Sequence, residues 1–198
     1  MSFDSLNPYH LDVLKELTNI STGTSVSRLS EYIDEKIIMS VPSVEILKLE
    51  QVFRSLGDPE EEVYTVFSRF YGEIEGNSFF FFKKHDIEQL ASSLKHKMDN
   101  LFLLTQISQI TSDSFVESLT EFTQLKIEQE APQITFDMLG AIIQQGLIEY
   151  SEIADEVILI TNSFVLDKHS LEGHFLLFPN PAHLQTLFRK LGIPYGTD

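Results

Sequence analysis

The sequence predicts an α+β fold in which two long amphipathic helices and shorter helices pack on a mainly antiparallel sheet. One observation is a long N-terminal stretch with apolar residues at helical spacing. Another is a series of short β-branched and aromatic segments separated by turn residues, which indicate strands. Strands joined by short turns pair antiparallel, and we expect the helices to cover one face of the sheet.

The first predicted element is a helix that begins at Asn7-Pro8 and runs to about Tyr32. Asn is a good N-cap, and Pro suits the first helical position because its missing N–H would be unpaired there. At about 100° per residue, four other apolar residues lie within about 60° of Leu14. These residues predict one buried face: Leu11, Leu14, Leu17, Leu29 and Tyr32.

The opposite face of this helix is polar. Asp12, Glu16 and Asn19 fall at roughly 160°, 200° and 140° from Leu14, with Gly23 near 180°. Glycine inside a helix costs about 0.5–1 kcal/mol relative to alanine, and on a solvent face it fills no core gap. A close approach by another molecule would explain it. The alternative is an ordinary solvated helix face.

The rest of the first half contains further strand and turn signals. Strands are predicted at 36–41, 44–49, 63–71 and 78–82, a loop at 57–62, a turn at 75–77, and a short helix at 86–94. The four consecutive phenylalanines at 79–82 place aromatic rings on both faces of their strand. This pattern favours a central strand covered on both sides, or one with a face buried by a partner subunit.

An internal repeat organises the second half. Sliding the sequence by 90 residues lays the first helix on 101–122 and Pro42 on Pro132. We therefore predict a single domain, 1–198, made of two pseudo-repeats at about 6–97 and about 98–193. The second repeat is predicted to contain an extra helix at 136–148, strands at 156–164 and 175–178, a closing helix at 182–191, and a mobile tail at 194–198.

Composition excludes several kinds of chemistry. The chain has no cysteine, which excludes disulfides, thiol chemistry and cysteine-based metal sites. The six histidines form no HExxH or i, i+4 pair, so we expect no metal site. Neither a GxxxxGK[ST] phosphate loop nor a G-x-S-x-G nucleophile motif is present.

Charge and hydropathy limit the kinds of partner and the cellular location that we expect for this chain. With 14 basic and 30 acidic residues, the formal charge of −16 disfavours nucleic acid and anionic membranes as partners. The most apolar run, 79–82, is far too short to span a bilayer, and the N-terminus has no signal-peptide pattern. We expect a cytoplasmic protein.

A four-position motif links the polar helix face to a known family. Asp12-xxx-Glu16-xx-Asn19, followed after 22 residues by Pro42, resembles the [DS]-xxx-E-xx-N-x22-P signature of the CheC/CheX/FliY family of chemotaxis phosphatases. Segment 20–24 reads Ile-Ser-Thr-Gly-Thr, where the family commonly has Ile-Gly-Ala-Gly-Asn. This chain keeps the isoleucine and the second glycine of that segment, and it lacks the first glycine and the final asparagine.

The resemblance implies an enzyme of two-component signalling that hydrolyses the aspartyl phosphate of a CheY-type response-regulator receiver. It implies that Asn19 orients the attacking water, that Glu16 pairs with the receiver's lysine and docks the helix, and that Asp12 and Gly23 contact the partner. No cofactor is expected on this chain, because the receiver brings its own Mg²⁺. Pro42, at a strand end, is expected to be structural.

The second repeat differs from the first at the positions that correspond to the motif residues on the polar helix face. Gln106 and Gln109 stand where the first repeat has Glu16 and Asn19, and Phe102 replaces Asp12. We interpret this second site as vestigial, because the charge is lost. Phe102 suggests that this face is partly covered.

Two other functions remain open on the sequence alone. One is a non-enzymatic relative, such as a scaffold or flagellar-switch component that binds a receiver without hydrolysing its phosphate. The other is a regulator that holds a different partner, since some relatives bind the deamidase CheD. We expect a monomer, because two repeats can bury internally what a one-copy relative must bury by dimerising.

Overall fold

The fold contains six helices and eight strands in the described part of the chain. The computed structural model describes residues 6–34, 36–40, 42–94, 99–151, 155–166 and 169–195. In chain order the elements are α1 (Pro8–Ile33), β1 (Ile37–Met39), β2 (Ser43–Lys48), α2 (Leu49–Leu56), β3 (Glu62–Gly72), β4 (Gly76–Lys83), α3 (Lys84–Ser93), α4 (Asn100–Thr123), β5 (Ile127–Gln129), β6 (Gln133–Met138), α5 (Leu139–Ser151), β7 (Glu156–Leu166), β8 (His169–Pro179) and α6 (Pro181–Lys190). The predicted α+β class is confirmed.

All eight strands form one sheet. Its order is β1-β7-β8-β4-β3-β5, with β2 also paired to β7 and β6 also paired to β3. Every pairing between these strands is antiparallel, so the predicted mainly antiparallel sheet is confirmed.

The two halves of the chain exchange strands. The short strands β1 and β2 of the first half pair with β7 of the second, while β5 and β6 pair with β3 of the first. At the centre, β4 of the first half pairs with β8 of the second. The element order α-β-β-α-β-β-α occurs twice along the chain. The internal duplication stays a prediction, and the pseudo-repeats do not form separate sheets.

Core residues lie on both faces of the sheet. On one face, Phe80 and Phe82 pack with α1, α3, α4 and α6, in what we call the long-helix layer. On the other face, Phe81 packs with α2 and α5, in the short-helix layer, and Phe79 packs against that cluster. The prediction that β4 is a central strand covered on both sides is confirmed. The expectation that helices cover only one face is wrong, because α2 and α5 cover the other.

The errors in the predicted elements concern short segments. Helix α2 was missed: Leu49, assigned to a strand, begins it. Strand β6 was also missed, and the helix predicted at 136–148 begins only at Leu139. That helix is not an extra element, because α2 occupies the same place in the first half.

The predicted mobile tail is wrong at its start. The carbonyl of Pro194 accepts a hydrogen bond from His10, and the ring of Tyr195 stacks on Phe188. The remainder of that predicted tail, 196–198, lies outside the described residues.

Candidate functional site

Helix α1 begins at a side-chain cap. The Asn7 side chain accepts hydrogen bonds from the backbone N–H groups of Tyr9 and His10, at 3.0 and 3.2 Å. In return, His10 Nδ1 accepts from the backbone N–H of Asn7 at 3.2 Å, so the cap is reciprocal. His10 is only 2% exposed. The start of the helix is therefore fixed by local hydrogen bonds, as the Asn-Pro signal predicts.

The buried face of α1 is apolar at its ends and hydroxyl-rich in its middle. Leu14, Leu17 and Leu29 are buried as predicted. Between them lies a buried series of small polar residues that the apolar pattern did not indicate: Thr18, Ser21, Thr22 and Ser25. Three of these hydroxyls donate to carbonyls of the preceding turn, those of Thr18, Ser21 and Ser25. With the hydroxyls satisfied inside the helix, this face can be buried without unpaired groups.

The opposite face of α1 carries the predicted polar residues. Asp12, Glu16 and Asn19 are all exposed, and so is Gly23. Glu16 and Asn19 stand three residues apart, which puts their Cβ atoms about 5–6 Å apart on one helix face. Within the described part of the chain, neither side chain makes a hydrogen bond or an ion pair. The predicted exposure is confirmed, while the assigned roles stay predictions.

Gly23 is not required by packing within the chain. A Cβ atom built at this position meets no atom within 4 Å. The backbone is not in the left-handed region either, since Gly23 is absent from the positive-φ residues of the described chain. An alanine would fit there and would favour the helix by about 0.5–1 kcal/mol. The open space is thus available to a second molecule.

Pro42, the last position of the motif, is separate from this face. It is buried and directly precedes β2, which begins at Ser43. This position fits the structural role expected for it.

On α4, the corresponding face is less polar. Phe102 is 52% exposed, so the chain itself leaves about half of this side chain uncovered. Gln109 is exposed and Gln106 is half-buried. Where α1 has Gly23, the 90-residue offset places Asp113, a half-buried acid. The structure therefore gives α4 two amides, an aromatic ring and an acid where α1 has two acids, an amide and a glycine.

An ion pair links the two long helices beside Asp113. Arg28 of α1 donates through Nη2 to the carboxylate of Glu117 on α4 at 2.6 Å. Its Nη1 lies 3.5 Å from the Ser114 hydroxyl. Burial raises the pKa of Asp113, the negative charge of Glu117 raises it further, and Arg28 opposes both effects. The hydrogen bond to Glu117 raises the pKa of Arg28.

The described residues contain neither a cluster of metal ligands nor a membrane-spanning helix. Among the described residues, no three His, Asp or Glu side chains form a group that could hold a metal ion. No helix in this part of the structure combines the length and apolarity needed to cross a bilayer.

The sequence is similar to known chemotaxis proteins. The model of the CheC-like family matches residues 10–46, which include most of α1 and the whole motif. The chain is 26% identical over 203 residues to the protein named CheY-P phosphatase CheC of Bacillus subtilis (strain 168). That alignment covers 96% of this chain and 97% of the relative.

Solved structures share the fold. FliY of Thermotoga maritima superposes with a TM-score of 0.73 at 16% identity, covering 94% of this chain and 98% of FliY. FliM in the FliM–SpeE complex of H. pylori gives a TM-score of 0.65 at 14% identity, covering 94% and 96% of the two chains. At these identities the likeness concerns the arrangement of helices and strands alone.

Proposed function

Because this chain belongs to the CheC/CheX/FliY family, we propose that it is a protein phosphatase acting on the aspartyl phosphate of a CheY-type receiver domain. A relative of nearly equal length, 26% identical, carries the name CheY-P phosphatase. The observation that carries the proposal is the pair Glu16 and Asn19, exposed one turn apart on α1.

Asn19 is proposed to orient the attacking water. An acyl phosphate already has a good leaving group, so the reaction needs a water molecule in line with the P–O bond more than a strong base. A carboxamide offers one acceptor and two donors, enough to hold water while also contacting the phosphoryl group. The water oxygen bonds to phosphorus, the bond to the aspartyl oxygen breaks, and its electron pair leaves on the receiver's carboxylate. The proton lost by the water passes to the released phosphate.

Glu16 is proposed to dock the receiver. Its carboxylate would pair with the lysine beside the receiver's phosphorylated aspartate, and the pair would be desolvated on docking. Truncating one partner of such a close interfacial pair typically costs about 2–5 kcal/mol. The receiver would bring its own Mg²⁺, so this chain needs no bound metal in the proposed scheme.

Asp12 and Gly23 are proposed partner contacts at the two ends of this surface. Asp12 lies one turn before Glu16, and Gly23 lies one turn after Asn19. The space beside Gly23 would let a loop of the receiver reach the α1 backbone. Docking here would use a face that is already exposed, without rearrangement of the core.

A phosphate-release assay tests the proposal. The protein is mixed with CheY-type receivers that have been phosphorylated by a small phosphodonor, and the loss of receiver phosphate is followed against receiver alone. Accelerated loss is the expected result. An unchanged half-life of every tested phosphoreceiver, with binding detected, would instead favour a non-enzymatic role.

That second candidate function is a scaffold or flagellar-switch protein that binds partners without hydrolysis. The observation that favours it is the surface of α4, where Leu101 and Phe102 are each 52% exposed. Exposed apolar side chains of this size are typical of contact surfaces. A regulator that binds CheD belongs to the same class of function, and pull-down with purified CheD would detect it.

A further inference from the structure

A cleft opens on the face of the sheet opposite to α1. Its volume is about 210 Å³, and it lies between α5 and strands β3, β4 and β6. The lining residues come from all four elements: Thr65, Phe67, Phe79, Gln133, Thr135, Ile142 and Gln145. On β3, Thr65 and Phe67 alternate with Val66, which belongs to the long-helix layer. The cleft is thus separated from Glu16 and Asn19 by the sheet.

Two aromatic rings line the cleft. Phe67 and Phe79 lie on neighbouring strands, with ring centroids 5.0 Å apart and planes inclined by 51°. Phe79 is held in turn by Phe81 and Phe178, at centroid distances of 6.1 and 5.1 Å. Both lining rings are only half-buried, so they present aromatic surface to an incoming molecule. Flat aromatic compounds stack well on such surfaces.

A buried hydroxyl in this lining lacks a partner. Thr65 is 2% exposed, and its Oγ1 atom has no hydrogen bond in the structure. Buried hydroxyls in folded proteins are nearly always paired, with protein, water or ligand. Ser68, Ser108 and Ser112 are also buried and unpaired, but none of them lines this cleft. Thr65 is therefore the one member of this group that a molecule in the cleft can satisfy.

The remaining polar lining is uncharged. Gln133 and Gln145 contribute carboxamides and Thr135 contributes a second hydroxyl, so donors and acceptors are both present. Among the described residues that line the cleft, none is Lys, Arg, Asp or Glu, and the whole chain has a formal charge of −16. An anionic ligand would find no cation here and would be repelled by the protein as a whole.

We propose that this cleft binds a small, uncharged, planar heteroaromatic molecule that stacks on Phe67 and Phe79 and hydrogen-bonds to Thr65. The carboxamides of Gln133 and Gln145 would hold its polar edge. This ligand site is independent of the phosphatase proposal, because none of its residues belongs to α1.

Nicotinamide and nicotinate form a matched pair of probes. They share one ring, and they differ in carrying a neutral amide or a carboxylate. Methyl NMR spectra of isoleucine-labelled protein report on the cleft through Ile142, while Ile20, which is 39% exposed on α1, serves as the reference. We expect nicotinamide to shift the Ile142 signal saturably and to leave Ile20 unchanged, and nicotinate to bind at least about tenfold more weakly.

Two variants on β3 distinguish the loss of a hydroxyl that lines the cleft from the loss of a buried hydroxyl elsewhere in the core. Thr65→Val keeps the side-chain shape and removes the hydroxyl, and we expect it to fold and to bind nicotinamide about tenfold more weakly. Ser68→Ala removes an equally buried, unpaired hydroxyl that does not line the cleft, and it should bind nicotinamide as the parent does. No saturable Ile142 shift with nicotinamide, or equal affinities of Thr65→Val and the parent, would overturn the proposal.

Discussion

His10 Nε2 lies 2.8 Å from the carbonyl oxygen of Pro194 and ties the first turn of α1 to the end of the described chain. The carbonyl can only accept, so Nε2 donates, while Nδ1 accepts from the backbone of Asn7. Both ring nitrogens of a neutral imidazole are thereby used. The ring also meets Phe188 edge-on, with centroids 4.6 Å apart.

Replacing this histidine should destabilise the fold. In His10→Ala, the Asn7 N–H and the Pro194 carbonyl both lose their partner and a buried ring is removed, so we expect a loss of about 2–4 kcal/mol. Urea denaturation measures it, as a lower midpoint at an unchanged slope. Tyr9→Ala removes a neighbouring aromatic ring that is 60% exposed, and should change stability by less than about 0.5 kcal/mol. Equal effects of the two substitutions would contradict the assigned role of His10.

Asn19→Ala tests the proposed water-orienting group. Because Asn19 is exposed and makes no hydrogen bond within the described chain, the variant should fold normally and still bind the phosphoreceiver. Its rate of receiver dephosphorylation should fall by about 10²-fold or more. Phosphate release after rapid mixing gives this rate.

The matched control is Gln109→Ala, at the equivalent exposed position of α4. If the second site is vestigial, this variant dephosphorylates the receiver at the parent rate. Comparable losses of dephosphorylation rate in both variants would show that both sites contribute to catalysis. Parent-like activity of Asn19→Ala would exclude the role given to Asn19.

Glu16→Ala tests docking separately from chemistry. Loss of the charge pair with the receiver's lysine should raise KM by about tenfold or more and affect kcat less. Steady-state kinetics over a range of phosphoreceiver concentrations separates the two constants. Glu31→Ala, an exposed acid near the other end of α1, controls for the loss of one negative charge. An unchanged KM for Glu16→Ala would refute the docking role.

Asp113→Asn should make the protein more stable at neutral pH. Burial and the neighbouring Glu117 raise the pKa of Asp113 in the folded state, against the attraction of Arg28. The folded protein therefore holds this proton more tightly than the unfolded chain, and stability is lost as pH rises through the raised pKa. Denaturation midpoints of the two proteins should differ at neutral pH and converge in acid, below the ordinary pKa of aspartate. A difference that is the same at all pH values would contradict this explanation.

The site-bearing helix could be predicted because its signals are local. Asn7 and Pro8 mark its start, and the leucines of one face fix which residues point outward. Once Leu14 and Leu17 are buried, helical geometry leaves Glu16 and Asn19 exposed.

The buried hydroxyls of α1 could not be predicted from hydrophobicity. Thr18, Ser21 and Ser25 count as polar in any periodicity pattern, yet each donates to a carbonyl within its own helix. They then behave as small, nearly apolar residues where α1 packs in the core.

Two short elements were not predicted because their secondary structure depends on contacts with residues far away in the sequence. Strand β6 has mostly exposed side chains and no clean alternation, and it is a strand because residues 133–138 pair with β3. Helix α2 is only eight residues long, and Val52 and Leu56 are buried against the second face of the sheet. Without the sheet, neither segment has a strong preference of its own.

The exchange of strands between halves has a consequence for any attempt to divide the molecule. A cut between α3 and α4 would give a fragment whose β1 and β2 have lost β7, and another whose β5 and β6 have lost β3. Each fragment would expose strand edges with unpaired backbone groups, and such edges promote aggregation. Mixed together, the two pieces would complement each other, because in the described structure each holds the strand with which the other's short strands pair.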